Sequence, residues 1–123
     1  MGQAKDVTER WWTLYLAGKI DEAQALYVSD LHFRGPGVEF NSREAIRPYL
    51  DQFYQEFDNY KRQTKHTVED GDRIFLEVEI EMRHKASNKT VKIYATDFVR
   101  VVNGKIVTWT ATWDRAGFGG QLQ

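Results

Sequence analysis

The chain has 123 residues, of which 41% are hydrophobic and 28% are charged, as expected for one soluble globular domain spanning residues 1–123. Its formal net charge of −1 gives no electrostatic reason to expect nucleic acid or an anionic membrane as a partner. The absence of cysteine excludes disulfides, thiolate metal sites and a cysteine nucleophile. No segment reaches transmembrane length and no apolar signal core is present, so we expect a cytoplasmic protein.

The first third of the chain is predicted to contain two helices and a short strand. Apolar residues at 3.6-residue spacing predict a helix over 6–17 that ends at Gly18. A second, short helix is predicted over 20–27, and a strand over 31–34. The sequence GPG at 35–37 is typical of a turn.

A third helix is predicted to begin after Ser42, a residue type that caps helices. The residues of its apolar stripe are Ile46, Tyr49, Leu50, Phe53, Tyr54 and Phe57. Pro48 lacks a backbone donor, so we expect a bend or a loose first turn there.

The second half of the chain changes to the two-residue period of strands. The predicted strands are 60–69, 73–84, 91–102 and 105–114, joined by turns at 70–72, 86–89 and Asn103-Gly104. Helices followed by a four-stranded antiparallel meander indicate an α+β fold. We expect a cone-shaped, curved antiparallel sheet wrapped around the N-terminal helices.

One carboxylate interrupts the apolar face of the strand 91–102. That face carries Val91, Ile93, Ala95, Asp97, Val99 and Val101. A carboxyl group in such surroundings is desolvated, which favours its neutral form and suits an acid, a donor or a base of raised pKa. The alternative is a structural Asp97 satisfied by backbone amides, by His84 or by a tryptophan N–H.

The last strand is predicted to place alternate residues on opposite faces. Val107, Trp109, Ala111 and Trp113 share one face, and Ile106, Thr108, Thr110, Thr112 and Asp114 share the other. A bulge would reverse the orientation of Asp114. Its carboxylate is a candidate catalytic base or, alternatively, a capping group at the mouth of the cone.

Several stretches resemble the superfamily of nuclear transport factor two, ketosteroid isomerase and the SnoaL-type polyketide cyclases. They are LAGKIDEAQALY, GPGVEFNSREAI, DGDRIFLEVE and VVNGKIVTWTATWD, and the likeness spans nearly the whole chain. The resemblance implies a conical pocket between the helices and the concave face of the sheet, with homodimerisation through the sheet. It does not choose among isomerases, cyclases, dehydratases, epoxide hydrolases and non-catalytic members.

The resemblance to ketosteroid isomerases carries over only in part. Their protonated strand acid, which donates a hydrogen bond to the developing oxyanion, overlays on Asp97. Their helix tyrosine falls on Trp11, so Tyr15 is the candidate replacement one turn later. Their catalytic base falls on Gly35, which argues against steroid isomerisation by that route.

The last strand also resembles limonene epoxide hydrolase, in the stretch GKIVTWTATWDRAGF. The catalytic aspartate that follows the tryptophan in that family falls on Ala111 here. The arginine and the other aspartate of its triad fall near Val78 and Ile80. Epoxide hydrolysis by that mechanism is therefore not expected.

The candidate site consists of three catalytic residues and an aromatic and aliphatic wall. The catalytic candidates are Asp97, Tyr15 and Asp114. The candidate substrate-binding residues are Trp11, Phe33, Phe53, Tyr54, Val78, Ile80, His84, Ile93, Ala95, Trp109, Ala111 and Trp113. No histidines and carboxylates have ligand spacing, so no metal is expected, and the chemistry needs no cofactor.

Two functions follow from these residues. The first is an isomerase, cyclase or dehydratase that acts by acid–base chemistry on a small hydrophobic, cyclic molecule. The second is a non-catalytic binding or dimeric assembly module in which Asp97 is structural. A cavity bordered by Asp97 favours the enzyme, and a cone filled by tryptophans favours the module.

Overall fold

The structure is a computed structural model that describes residues 2–123, except the side chains of residues 115 and 116. Its helices are α1 (Gln3–Leu16), α2 (Ile20–Gln24), α3 (Arg43–Glu56) and α4 (Arg115–Gln121). Its strands are β1 (Tyr27–Gly35), β2 (Val38–Phe40), β3 (Phe57–Asp70), β4 (Arg73–His84), β5 (Thr90–Val102) and β6 (Lys105–Trp113). None of the helices in this described part is long and apolar enough to cross a membrane.

The strands form one curved, unclosed sheet, which confirms the predicted α+β fold. The strand order is β2-β1-β6-β5-β4-β3. The predicted four-stranded meander corresponds to β3 through β6, but the sheet has six strands. β1 pairs in parallel with β6 and β2 extends the edge as an antiparallel neighbour of β1. The sequence analysis did not predict that β1 joins the sheet beside β6, because a parallel partner far along the chain leaves no local turn signal.

Strict alternation along β4 and β5 builds the inner face of the sheet. Every second residue is buried along both strands, and the registers place Val78 opposite Ala95 and Leu76 opposite Asp97. A two-residue period fixes which side chains face the core, and a one-residue slip would bury Glu77 or Glu79 instead. The helices α1 and α3 pack over this apolar face.

A bulge corrects the predicted faces of β6. The pairing of β5 with β6 shifts between Arg100 and Val101, so Val107 is the extra residue. Ile106 is therefore fully buried, although simple alternation placed it on the opposite face from Trp109. Beyond the bulge, Trp109 and Ala111 are buried as predicted.

The helix α3 runs through Pro48 without interruption, as one helix from Arg43 to Glu56. Proline lacks its own backbone donor, and the Pro48 ring lies on the exposed side of the helix, so it displaces no core residue. Ile46 and Leu50 anchor the helix on both sides of it. At the start of the helix, the Ser42 hydroxyl accepts a hydrogen bond from the Ala45 amide at 3.0 Å, as the sequence predicted.

The helix α4 was not predicted, because three of its seven residues are glycine and disfavour helix. Asp114 begins it, and its carboxylate accepts a hydrogen bond from the Gly117 amide at 2.9 Å. At its other end, the Gln121 side-chain amide bonds to both the N–H and the carbonyl of Lys92 at 2.9 Å. Side-chain bonds thus hold a segment of weak helix propensity at the end of the sheet.

Replacing Ser42 with alanine is expected to lower the free energy of unfolding by about 1 kcal/mol, because α3 loses its N-terminal side-chain acceptor. Urea unfolding measures the change. Ser29→Ala is the matched control, because Ser29 is an exposed strand residue. Equal effects of the two substitutions would contradict the capping role of Ser42.

Candidate active site

A cavity of about 440 Å³ lies between the inner face of the sheet and the helices α1 and α3. Its tryptophan and tyrosine lining residues are Trp11, Trp12, Tyr15, Tyr27, Tyr49, Trp109 and Trp113. Phenylalanines and aliphatic residues complete most of the wall. The three tryptophans at 11, 109 and 113 therefore border the cavity and do not fill the cone.

Asp97 is the one buried carboxyl group among the lining residues that the structure describes. Its side chain is 2% exposed, and the register places it between Leu76 on β4 and Ala111 on β6. The Oδ2 atom is buried and has no hydrogen-bond partner among the described residues. A buried oxygen of this kind costs free energy unless a bound molecule or water satisfies it.

Burial raises the pKa of Asp97 from 3.8 to about 7. A hydrogen bond with the Trp109 side chain and the positive charge of Arg62 both favour the carboxylate. They partly offset the effect of burial and lower the pKa. A carboxyl group of such a pKa is present in both protonation states near neutral pH. It can therefore take up and return a proton under physiological conditions.

A partly buried ion pair positions the Arg62 charge. Its guanidinium donates to both carboxylate oxygens of Glu9 on α1, at 2.9 and 3.3 Å. It also lies over the Trp12 ring, 4.8 Å from the ring centroid. The Arg62 side chain is only 10% exposed, so its charge is little screened. This cluster joins α1 to β3 behind the cavity wall.

Tyr15 lines the cavity, but its hydroxyl group serves the fold. It donates to the backbone carbonyl of Leu50 on α3 at 2.7 Å. Its ring stacks on Trp11, with 4.9 Å between the centroids. Burial, followed by the neighbouring tyrosines and Asp51, raises the pKa of Tyr15 far above its ordinary value. The only proton of this hydroxyl is thus engaged, which argues against the predicted role of Tyr15 in proton transfer.

Tyr27 is a lining residue that the sequence did not single out. Its hydroxyl is buried and, within the described chain, has no hydrogen-bond partner; the same holds for the indole N–H of Trp11. The two rings lie close together, with 5.9 Å between their centroids. Burial raises the pKa of Tyr27 well above its ordinary value, and the charges of Tyr15 and Asp97 add to this rise. The indole N–H of Trp11 approaches the Tyr27 oxygen and lowers the pKa, but the contact does not have the geometry of a hydrogen bond.

The structure brings most of the predicted site residues together around one cavity. Those that line it are Tyr15, Asp97, Trp11, Phe33, Phe53, Ile80, Ile93, Ala95, Trp109, Ala111 and Trp113. The whole cavity wall combines residues from α1, α3, α4 and all six strands.

Four predicted residues are not among the lining residues. Asp114 is exposed and caps α4, as the alternative interpretation had it, so the predicted catalytic placement of Asp114 is wrong. Tyr54 lies behind the wall, where it packs edge-on against Tyr15 at 5.8 Å. Val78 is buried in the core. His84 lies at the end of β4, and its Nδ1 is 2.7 Å from the Ser87 hydroxyl.

Other lining residues were missed for identifiable reasons. They include Trp12, Tyr27, Pro36, Val38, Tyr49, Leu50, Gln52, Glu56, Phe57 and Phe118. Tyr27 was assigned to the end of a helix, although Tyr27, Leu31 and Phe33 share the odd-numbered positions of one strand. Phe118 belongs to the unpredicted α4. In the described part of the chain, no group of three or more His, Asp or Glu side chains could hold a metal ion.

Comparison with known proteins identifies the family. A family model described as a SnoaL-like domain matches residues 8–109, which is most of the chain. The chain belongs to the SnoaL-like domain family. The resemblance seen in the sequence is therefore confirmed, and this family includes cyclases, isomerases and related small-molecule enzymes. No curated protein matches the chain.

Solved structures of other SnoaL-like and related proteins share the fold. A candidate isomerase from Rhodopseudomonas palustris is 11% identical with a TM-score of 0.87, covering 99% of this chain and 96% of that one. A candidate SnoaL-like polyketide cyclase from Shewanella putrefaciens is 14% identical with a TM-score of 0.86, covering 99% of this chain and 86% of that one. An LEH-like epoxide hydrolase from M. tuberculosis is 15% identical with a TM-score of 0.81, covering 98% of this chain and 89% of that one. At these identities the likeness shows the fold alone.

Asp97→Asn is expected to make stability less dependent on pH. The native pKa of Asp97 is raised from 3.8 to about 7, so the native state holds this proton more tightly than the unfolded chain. The resulting stabilisation is complete below about pH 4 and is lost as the pH rises through about 7. Wild-type protein should lose up to about 4 kcal/mol relative to the variant over the whole titration, of which about 2.5 kcal/mol falls between pH 5 and pH 8.

Urea unfolding of both proteins at pH 5, 6, 7 and 8 measures this difference. Because the other titrating groups are the same in both proteins, their contributions cancel. Asp30→Asn is a control for the loss of an exposed carboxylate. If the stability difference between wild type and Asp97→Asn is constant across these pH values, the carboxyl group is not desolvated as described.

Tyr15→Phe is expected to lower the free energy of unfolding by about 1 kcal/mol, because the Leu50 carbonyl loses its donor. Differential scanning calorimetry provides the measurement. An unchanged melting temperature would show that this hydrogen bond does not join α1 to α3 in solution.

Proposed function

We propose that this SnoaL-like protein is a cofactor-independent isomerase or cyclase that moves a proton within a small hydrophobic substrate. The observation that carries the proposal is Asp97, a buried carboxyl group with an unpartnered oxygen that borders an otherwise largely apolar cavity. A purely structural carboxylate would be expected to have its oxygens satisfied by protein donors. The confirmed family, which includes isomerases and cyclases, supports the same reaction class.

The proposed step begins with the ionised form of Asp97. The carboxylate removes a proton from a carbon next to a substrate carbonyl, and the electron pair moves onto the carbonyl oxygen to form an enolate. Asp97, now neutral, returns the proton to another carbon, which gives an isomer. Alternatively, the enolate carbon attacks a second carbonyl carbon within the substrate and closes a ring; the C=O π electrons move onto that oxygen, and Asp97 gives its proton to the resulting alkoxide. Every proton is conserved, and no cofactor is required. A pKa near 7 allows Asp97 both to accept and to return the proton.

The wall of the cavity indicates the shape of the substrate. Flat aromatic side chains, including Trp109 and Trp113, border a space of about 440 Å³. Such surfaces favour a small, hydrophobic and cyclic molecule over a sugar phosphate, whose charges would lose their hydration there. The aromatic rings would orient the ring system of the substrate relative to Asp97.

A non-catalytic ligand-binding module is the second candidate function. Gly35 stands where the resembling isomerases carry their base, so that base is missing. The same cavity would then hold a ligand without converting it. The exchange experiment below separates this module from the enzyme.

We also propose that two copies of the chain associate through the outer face of the sheet. Phe75 and Tyr94 are 46% and 64% exposed there, and Phe75 packs edge-on against Phe98 at 4.8 Å. The flanking charges pair across the strands, as in the contact of Lys92 with Glu79 at 3.4 Å. An apolar centre with a charged rim is typical of interfaces between subunits.

The exchange experiment uses 2-tetralone, a bicyclic ketone with acidic protons next to its carbonyl. The wild-type protein is expected to accelerate deuterium incorporation from D₂O, measured by proton NMR, with a rate that rises with pH through about 7. Asp97→Asn should reduce the enzymatic rate about 100-fold or more, because the amide cannot take up the proton.

Asp114→Asn is the matched control, since it makes the same change at a carboxylate outside the cavity and keeps a residue that can cap α4. Its exchange rate should equal that of the wild type. Exchange that persists in Asp97→Asn would refute the catalytic role. Tight binding of the ketone without any acceleration would instead identify the binding module.

Phe75→Glu is expected to convert a dimer into a monomer, because two buried charges would face each other across the interface. Light scattering coupled to size-exclusion chromatography measures the mass. Gln55→Glu, at an exposed position of α3 away from the outer face of the sheet, is the comparison and should leave the mass unchanged. A monomeric wild-type protein at high concentration would contradict the proposed dimer.

A further inference from the structure

Two unpartnered hydrogen-bond donors lie on the wall of the cavity that Asp97 also lines. They are the Trp11 indole N–H on α1 and the Tyr27 hydroxyl on β1, both buried and both on lining residues. The Trp11 ring is 5.9 Å from the Tyr27 ring and 4.9 Å from the Trp109 ring, measured between centroids. Tyr27 is also close enough to Asp97 to respond to its charge. These side chains therefore form one polar patch in a wall that is otherwise largely apolar.

The other phenol beside Trp11 is already committed. Tyr15 stacks on Trp11 and donates its proton to the Leu50 carbonyl at 2.7 Å. Tyr27 has no such acceptor among the described residues. Of these two phenols, Tyr27 is thus the one whose proton is available to a bound molecule.

The chemistry of the two donors indicates which ligand group they would hold. An indole N–H can donate but cannot accept, so its partner must be a hydrogen-bond acceptor. Leaving two buried donors unpaired costs free energy, which a ligand oxygen would recover. The oxygen of a ligand can accept from both groups at once because it carries two lone pairs.

The nearby carboxylate indicates that this oxygen is neutral on entry. A ligand with a negatively charged oxygen would meet the Asp97 carboxylate in surroundings of low polarity, where like charges repel strongly. A carbonyl oxygen avoids this repulsion. It gains negative charge only as Asp97 takes up a proton and loses its own charge, so the total charge of the site stays constant.

We propose that Tyr27 and Trp11 form an oxygen-binding site that selects neutral carbonyl compounds and stabilises the charge on their oxygen during proton transfer. This inference rests on the proposed function for its catalytic part and deepens it by naming the functional group of the substrate. The selection of a carbonyl oxygen is a property of binding, and it holds whether or not turnover follows.

The test compares two ligands of matched shape, 2-tetralone and 2-methylenetetralin, in which a CH₂ group replaces the oxygen. Tryptophan fluorescence or calorimetry gives the dissociation constant of each ligand for each protein. The ketone preference is the dissociation constant of the hydrocarbon divided by that of the ketone. Comparing this ratio between variants cancels the different hydration of the two free ligands.

Tyr27→Phe is expected to lower the ketone preference about tenfold, because one hydrogen bond to the oxygen is lost. Its affinity for 2-methylenetetralin should not fall. Tyr60→Phe is the matched control, because Tyr60 does not line the cavity and its hydroxyl donates to the Phe57 carbonyl at 2.9 Å. The ketone preference of this variant should equal that of the wild type.

Thermal melting supplies a second readout. Removing an unpartnered hydroxyl should leave the melting temperature of Tyr27→Phe equal to or above that of the wild type, whereas Tyr60→Phe should melt lower. Equal loss of affinity for both ligands in Tyr27→Phe would show a packing role only. A ketone preference that is unchanged in Tyr27→Phe, or a strongly lowered melting temperature, would overturn the oxygen-binding site.

The oxygen-binding site and the proposed proton transfer fail in different experiments. If Asp97→Asn keeps exchanging deuterium while Tyr27→Phe loses its ketone preference, the proton-transfer proposal is wrong and the oxygen-binding site stands. If Asp97→Asn stops exchange while Tyr27→Phe keeps both its ketone preference and its exchange rate, the oxygen-binding site is wrong and proton transfer stands.

Discussion

The placement of a carboxyl group on the inner face of a β-sheet is the constraint from which the site follows. Asp97 takes an inward position of β5, where its neighbours across the strands are Leu76 and Ala111. The alternation of the strand leaves the side chain no route to bulk water without moving the whole register. The fold therefore holds this group in surroundings that keep a proton on it at a pH where most aspartates are ionised.

The surroundings of Asp97 combine opposing influences on its charge. Burial favours the neutral acid, while the guanidinium of Arg62 favours the carboxylate from behind the wall. Glu9 neutralises part of that positive charge through a two-fold hydrogen bond. The pKa of Asp97 is thus set by residues on β3 and α1 as well as by the strand that carries it, which links the acid–base chemistry to the packing of the first helix.

The sequence predicted the fold and the central acid because both depend on regular periods. Asp97 was placed on the inner face by counting alternate residues, and no bulge lies between Val91 and Val99 to disturb the count. Counting failed at Ile106, where the bulge at Val107 changes the face, and at Tyr27, where a strand begins close to a helix. Irregular pairing depends on tertiary contacts, so a local pattern does not reveal it.

The C-terminal helix α4 has a consequence for the behaviour of the protein in solution. β6 ends opposite Ala95, so the residues of β5 before this point have no strand partner on that side. The Gln121 amide occupies the N–H and carbonyl of Lys92 in the way that a neighbouring strand would. Without this amide, the bare edge would invite another chain to add a strand, and the side chain of one glutamine thus guards against aggregation.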